Sequence, residues 1–127
     1  MLRILVVEDD PIVRATVAEA LEDMDYLVET ASDGAEALAK VRDGGFDAIV
    51  LDLMMPVMTG WEFLDACGDN LVAEQIPVAV VSAAYSPGAV ASQPAVSAVL
   101  SKPFDLDVLE AIVQRLTARR RTASEPR

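Results

Sequence analysis

The chain is predicted to be an α/β domain, a five-stranded parallel sheet wound on both faces by helices. Three observations carry that expectation. Short apolar runs alternate with amphipathic segments, the pattern of successive βαβ units. The run Ala48-Ile49-Val50-Leu51 is apolar throughout, as a central strand covered on both faces must be. Finally, Glu8-Asp9-Asp10 ends the run Ile4-Leu5-Val6-Val7, Asp52 ends the central run, and Lys102-Pro103 follows Ala98-Val99-Leu100. A parallel sheet brings such strand ends to one edge, where open α/β sheets bind ligands.

Each element has its own signal. Residues 2–7 are the first strand. Asp10-Pro11 opens a helix, with aspartate at the cap and proline at the first helical position, where a missing N–H costs nothing. Val13, Val17, Ala20, Leu21 and Met24 share one face of it. Residues 26–30 form a shorter second strand. Asp33-Gly34-Ala35-Glu36 has capping-box spacing and opens a helix to about Val41, which Gly44-Gly45 stops. Residues 46–52 are the third strand, and Thr59-Gly60-Trp61-Glu62 is a second capping box with a helix to about Asp69. Residues 77–82 and 98–100 are the fourth and fifth strands. Asp105 caps the last helix, with Leu109, Ile112, Val113 and Leu116 facing inward. Between Ser82 and Ala98 the pattern asks for a fourth helix, but Pro87, Gly88 and Pro94 leave room for about two turns. A short or irregular, mobile fourth helix is expected there.

Composition narrows the function. The 127 residues suit one domain with one filled core, at 53% hydrophobic content. Residues 1–118 read as that domain and residues 119–127 as a flexible basic tail. The tail holds four arginines and one glutamate, +3, so the net charge of −11 leaves −14 on the body. An acidic body disfavours nucleic acid and favours cations and basic partner surfaces. Cys67 is the only cysteine and reads as a small core residue; no intrachain disulfide can form, which fits a reducing compartment. No apolar run reaches the roughly 18 residues of a membrane helix, and residues 2–5 show no signal-peptide cleavage site, so a cytoplasmic protein without membrane insertion is expected.

Several carboxylates and one lysine at one sheet edge suit a hard cation and a phosphoryl group. An aspartate there can act as a nucleophile that accepts a phosphoryl group. Phosphoryl transfer demands mainly positioning and charge neutralisation, and Mg²⁺ is the natural partner of such carboxylates.

Four segments together resemble the signature of response-regulator receiver domains: residues 4–11, residues 50–60, Val80-Val81-Ser82-Ala83 and Lys102-Pro103-Phe104. They occur in that family's order and near its spacing, and the likeness runs from Leu2 to about Ala118. The resemblance implies the doubly wound, flavodoxin-like receiver fold. It implies Asp52 as phosphoacceptor, and Asp9, Asp52 and the Met54 backbone carbonyl as Mg²⁺ ligands. Glu8 would reach the metal through water. Ser82 would supply a hydroxyl that swings to the phosphoryl group, and Lys102 a cation that pairs with its oxygens. A cis Lys102–Pro103 peptide is implied as well. The phosphoryl donor would be a histidine kinase or a histidine phosphotransfer protein, and the domain would catalyse its own phosphorylation and slow hydrolysis. It would be a switch in a phosphorelay rather than a metabolic enzyme. With no effector after Arg127, output is expected through a bound partner or onward transfer.

Other residues have plainer readings. Asp10 is explained by capping alone. Met54 falls where a side chain could shield the phosphoryl group from water, and Trp61 is a packing residue at a helix start. The arginine tail is most simply solubilising.

The sequence also departs from the family. Val99 stands three residues before the lysine, where receivers usually carry Tyr or Phe, and the Ser82-to-Lys102 interval is about two residues short. The usual transmission by a rotating ring is therefore not available, and phosphorylation is expected to order residues 83–94 instead. Two rivals follow. One is an unphosphorylated interaction module of the same fold. The other is a phosphohydrolase with an aspartyl nucleophile, which needs an acid two residues on, where Met54 stands.

Overall fold

A computed structural model of the protein describes residues 1–83 and 87–124, with backbone alone at 87, 91 and 121–124. The elements alternate as the sequence leads one to expect: β1 (Arg3–Val7), α1 (Pro11–Asp23), β2 (Leu27–Ala31), α2 (Gly34–Asp43), β3 (Ala48–Asp52), α3 (Gly60–Ala73), β4 (Val78–Ser82), α4 (Pro87–Ala91), β5 (Val96–Ser101) and α5 (Leu106–Ser124). All strand pairs are parallel, in the order β2-β1-β3-β4-β5. The chain leaves β1 toward one edge and returns to its other side with β3. The crevice between the carboxyl ends of β1 and β3 is thus the point where a doubly wound sheet takes its ligand.

Strand side chains alternate between two cores. Leu5, Ile49, Leu51 and Val80 meet Phe63, Leu64 and Leu71 of α3 on one side, and Ile4, Val6, Val50 and Val81 meet Val17, Leu21, Leu109 and Val113 of α1 and α5 on the other. β5 changes sides part-way. The pairing steps from Val78↔Val96 to Ala79↔Ala98, so one extra residue is bulged out. Val96 packs into the first core and Leu100 into the second.

The caps decide the helix starts. The Asp10 carboxylate accepts from Ile12 N at 2.8 Å and Val13 N at 3.2 Å. Thr59 and Glu62 satisfy each other's backbone N–H groups, as a capping box does. The expected box at α2 is only half formed. Asp33 accepts from Glu36 N at 2.9 Å, but the Glu36 carboxylate reaches one residue further back, to the N–H and hydroxyl of Ser32 at 2.9 Å each. Those two donors hold the Glu36 carboxyl below its ordinary value.

The helix ends were less legible. α3 runs to Ala73 rather than Asp69, and α5 continues past Ala118 to Ser124. The physical reason at α5 is Arg120. Its guanidinium pairs with Asp47 at 3.0 Å and donates to the Glu74 and Gln75 carbonyls at 2.7 and 2.8 Å, beside the end of α3. A stretch whose composition suggested a frayed tail is therefore helical to Ser124, and Arg120 is docked rather than solvated. The fourth helix is as short as its prolines require, five residues. Residues 84–86 of the stretch expected to be mobile lie outside the described residues, as do residues 125–127 of the tail.

Candidate functional site

The carboxyl ends of β1, β3, β4 and β5 deliver the groups of the site. β1 ends at Val7, and the next residue, Glu8, is turned inward with 4% of its surface exposed, while Asp9 stays open to solvent. β3 ends at Asp52, also 4% exposed. β4 ends at Ser82, which is fully buried, and its carbonyl accepts from Lys102 N at 2.9 Å. The Lys102–Pro103 peptide is cis, as the resemblance implied.

These side chains converge. The Lys102 ammonium lies 2.5 Å from a Glu8 carboxylate oxygen and 3.2 Å from an Asp52 oxygen. Carboxylate oxygens of Glu8, Asp9 and Asp52 all lie within 4.8 Å of one another. The second Asp52 oxygen accepts from Met54 N at 3.1 Å, and the second Glu8 oxygen from Asp10 N at 3.2 Å. The Met54 side chain is exposed, while Met55 is buried in the first core.

Three carboxylates thus share one ammonium, and the local charge is negative. The titration of the pair reflects this. The Glu8 carboxyl is pushed up to about 7, chiefly by burial; Lys102 opposes that rise, and Asp52 and Asp9 add to it. For Lys102, burial works against the charged form, but Glu8 and Asp52 outweigh it and raise its pKa. The two directions pull apart across one ion pair, since a raised lysine favours the pair and a raised glutamate does not. The shortage of positive charge resolves this. Lys102 stays an ammonium, and Glu8 is the carboxylate left under-neutralised. A divalent cation beside Asp9 would supply the missing charge.

The residues around the site hold it in shape, and sequence reasoning missed their part. The Arg14 guanidinium donates to the Glu8 carbonyl at 2.9 Å, so α1 fixes the turn that carries Glu8 and Asp9. Its sequence signal was an arginine one turn after the Asp10 cap. Gly60 is pressed against the end of β3. A Cβ there would stand 2.5 Å from the Asp52 carbonyl oxygen and 2.8 Å from Leu53 Cα. Gly34 takes the next contact outward, donating its N–H to the Met58 carbonyl at 2.9 Å. Between these clamps the β3–α3 loop carries Val57 at φ 66°, a left-handed backbone at a β-branched residue.

Comparison with known proteins agrees with this geometry. The family model described as response regulator receiver domain matches residues 4–114. The transcriptional regulatory protein TcrA of Mycobacterium tuberculosis is 35% identical over 118 residues, covering 93% of this chain and 47% of its own. Response regulator Rre1 of Synechocystis is 35% identical, over 98% of this chain and 55% of its own. The chain spans about half the length of these curated relatives. Among solved structures, chemotaxis protein CheY4 of Vibrio cholerae superposes with a TM-score of 0.81 at 36% identity, over 91% of this chain and 98% of that one. Response regulator TrrA of Thermotoga maritima, solved in complex with Mg²⁺-BeF, superposes with a TM-score of 0.78 at 30% identity, over 91% and 99%. On a match that spans nearly the whole chain, and on the sheet order and edge residues that go with it, this protein belongs to the response regulator receiver domain family.

Proposed function

We propose that the protein is a Mg²⁺-dependent phosphoacceptor, with Asp52 taking a phosphoryl group from a phosphohistidine donor and the modified site switching a partner interaction. The observation that carries this reading is the cluster of Glu8, Asp9 and Asp52 oxygens within 4.8 Å, against the single ammonium of Lys102. That is the donor set of a hard, oxygen-loving cation. The Mg²⁺–BeF complex of the related TrrA adds support by likeness.

The chain's own residues divide the work. Asp9, Asp52 and the Met54 carbonyl would hold the ion, with Glu8 reaching it through water. The bound ion would neutralise charge on the transferring phosphoryl oxygens. An Asp52 carboxylate oxygen attacks phosphorus; the O–P bond forms as the N–P bond of the donor histidine breaks, and the imidazole leaves and takes up a proton. Lys102 is already within hydrogen-bond reach of Asp52, so it can pass from the carboxylate to the incoming phosphoryl oxygens without travelling far. The Met54 N–H orients the nucleophile. Ser82 would hydrogen-bond a phosphoryl oxygen and carry the change toward β4 and the following loop. Slow hydrolysis by the same site returns the switch to its resting state.

Val99 and the five-residue α4 favour one other reading, a receiver-like interaction module that works without phosphorylation. Calorimetric titration with Mg²⁺ and then beryllium fluoride separates the two. A phosphoacceptor binds Mg²⁺, loses most of that affinity in Asp9→Asn, and takes beryllium fluoride only when Mg²⁺ is present. A module with no response to either titrant would overturn the proposal.

A further inference from the structure

An apolar groove lies beside Asp52. It runs between α1 and the turn that joins β5 to α5, and has a volume of about 480 Å³. Ile12, Val13, Thr16, Phe104 and Leu106 line it together with Lys102. That volume falls in the range of small-molecule sites, which are mostly apolar with a few polar groups that fix orientation. Val13 and Phe104 also line a small void of about 10 Å³ whose other walls include Glu8 and Asp52. One layer of side chains therefore separates the groove from the carboxylate. Lys102 joins the two directly, since it lines the groove and reaches Asp52 at 3.2 Å. Ile12 keeps 76% of its surface in water although it belongs to the groove wall.

Charge and bond type identify an occupant. An ammonium at the inner side of an apolar groove suits a molecule with a phosphoryl group at one end and a short apolar body at the other. The bond to be exchanged narrows the choice. A phosphorylated aspartate is a mixed anhydride of a carboxylic acid and phosphoric acid. Transfer to it from a simple phosphate ester runs uphill, whereas transfer from another carboxylic–phosphoric anhydride exchanges like for like.

We infer that this groove receives the acyl chain of a small acyl phosphate, and that Asp52 takes the phosphoryl group with a preference for chains longer than acetyl. An Asp52 oxygen attacks phosphorus. The new O–P bond forms as the bond between phosphorus and the acyl oxygen breaks, and the acid leaves as a carboxylate, with no proton transferred. Lys102 pairs with the phosphoryl oxygens, while the alkyl chain covers Ile12 and Phe104. Full burial of one methylene is worth about fourfold, and an open groove covers part of each, so butyryl phosphate should react at least about fivefold faster than acetyl phosphate at equal low concentration. The two donors differ little in leaving-group acidity, which leaves the chain as the cause. This rests on Asp52 being the phosphoacceptor proposed above, and adds a substrate preference to that role.

The test gives the full chain, with Mg²⁺, acetyl phosphate, butyryl phosphate or phosphoramidate, and follows the added phosphoryl group by intact mass over time. Wild type is compared with Thr16→Trp, which fills the groove, and Ile12→Ser, which removes part of its wall. Both side chains are exposed on α1, so both variants should fold. Phosphoramidate has no acyl chain and should react alike with all three proteins. The ratio of butyryl to acetyl rates, high in wild type, should fall to near unity in both variants. Equal rates for the two acyl phosphates in wild type, or a preference that survives Thr16→Trp, would overturn the groove's role and leave Asp52 a phosphoacceptor, with the groove open to a protein donor instead. No phosphoryl addition from any of the three donors would overturn the phosphoacceptor reading and the groove's role together.

Discussion

In the proposed function, Glu8 would set the chemistry's dependence on pH. Its carboxyl stands near 7 in the folded chain against an ordinary 4.5, so the metal-free folded state holds this proton more tightly than the unfolded state. The contribution to stability is therefore full below about pH 4.5 and is lost as pH rises through about 7. Mg²⁺ bound as proposed would have to displace the same proton. Its affinity should fall as pH drops below about 7, and Glu8→Gln should flatten that dependence while weakening binding on the alkaline side; calorimetric titrations either side of neutrality read both effects. Two neighbours hold the scaffold of the site in opposite ways. Gly60→Ala would drive a methyl group into the backbone at Asp52 and Leu53, with an expected loss of about 1–3 kcal/mol in urea unfolding. Val57→Gly relieves a left-handed backbone that costs an L-residue about 1–2 kcal/mol, so a gain of about 1 kcal/mol is expected in the same assay. The acids and the lysine were legible because each follows an apolar run. Arg14 and the glycine contacts were not, because they depend on which backbone atoms come near, and no spacing along the chain encodes that.

At the scale of elements, starts were easier to read than ends. Asp10, Asp33 and Thr59 each cap the helix that the sequence assigned to them, because a cap acts within three residues of itself. Ends are set by distant partners. α5 continues past Ala118, where Arg120 finds Asp47 and two carbonyls at the end of α3, more than forty residues away in sequence. Arg120→Ala should cost about 1–2 kcal/mol, since it removes hydrogen bonds from a charged donor, and should speed amide exchange in the last turns of α5. Asp47 would keep its bond from Arg3 N, which limits the loss. The side change within β5 was illegible for a related reason. The bulge is a property of its pairing with β4, and all six strand residues alternate in exposure as they would without one.

For the whole molecule, the parallel doubly wound sheet followed from alternating apolar runs, and its ligand edge from the residues that close them. The family then joined the pieces. Route of output is where this chain departs. Val99 stands where receivers usually carry a ring, and α4 spans five residues, so in the proposed function a signal from Asp52 would travel through Ser82 and the segment that follows it. Amide exchange across residues 83–94 should slow when beryllium fluoride and Mg²⁺ are bound; identical exchange in both states would remove that route. The central claim is simpler and is tested more directly. Incubating the protein with Mg²⁺ and acetyl phosphate and recording its intact mass should show one added phosphoryl group, absent in Asp52→Asn and absent when the metal is chelated. Addition that persists in Asp52→Asn, or a wild type that gains nothing and also fails to bind beryllium fluoride, would contradict the account.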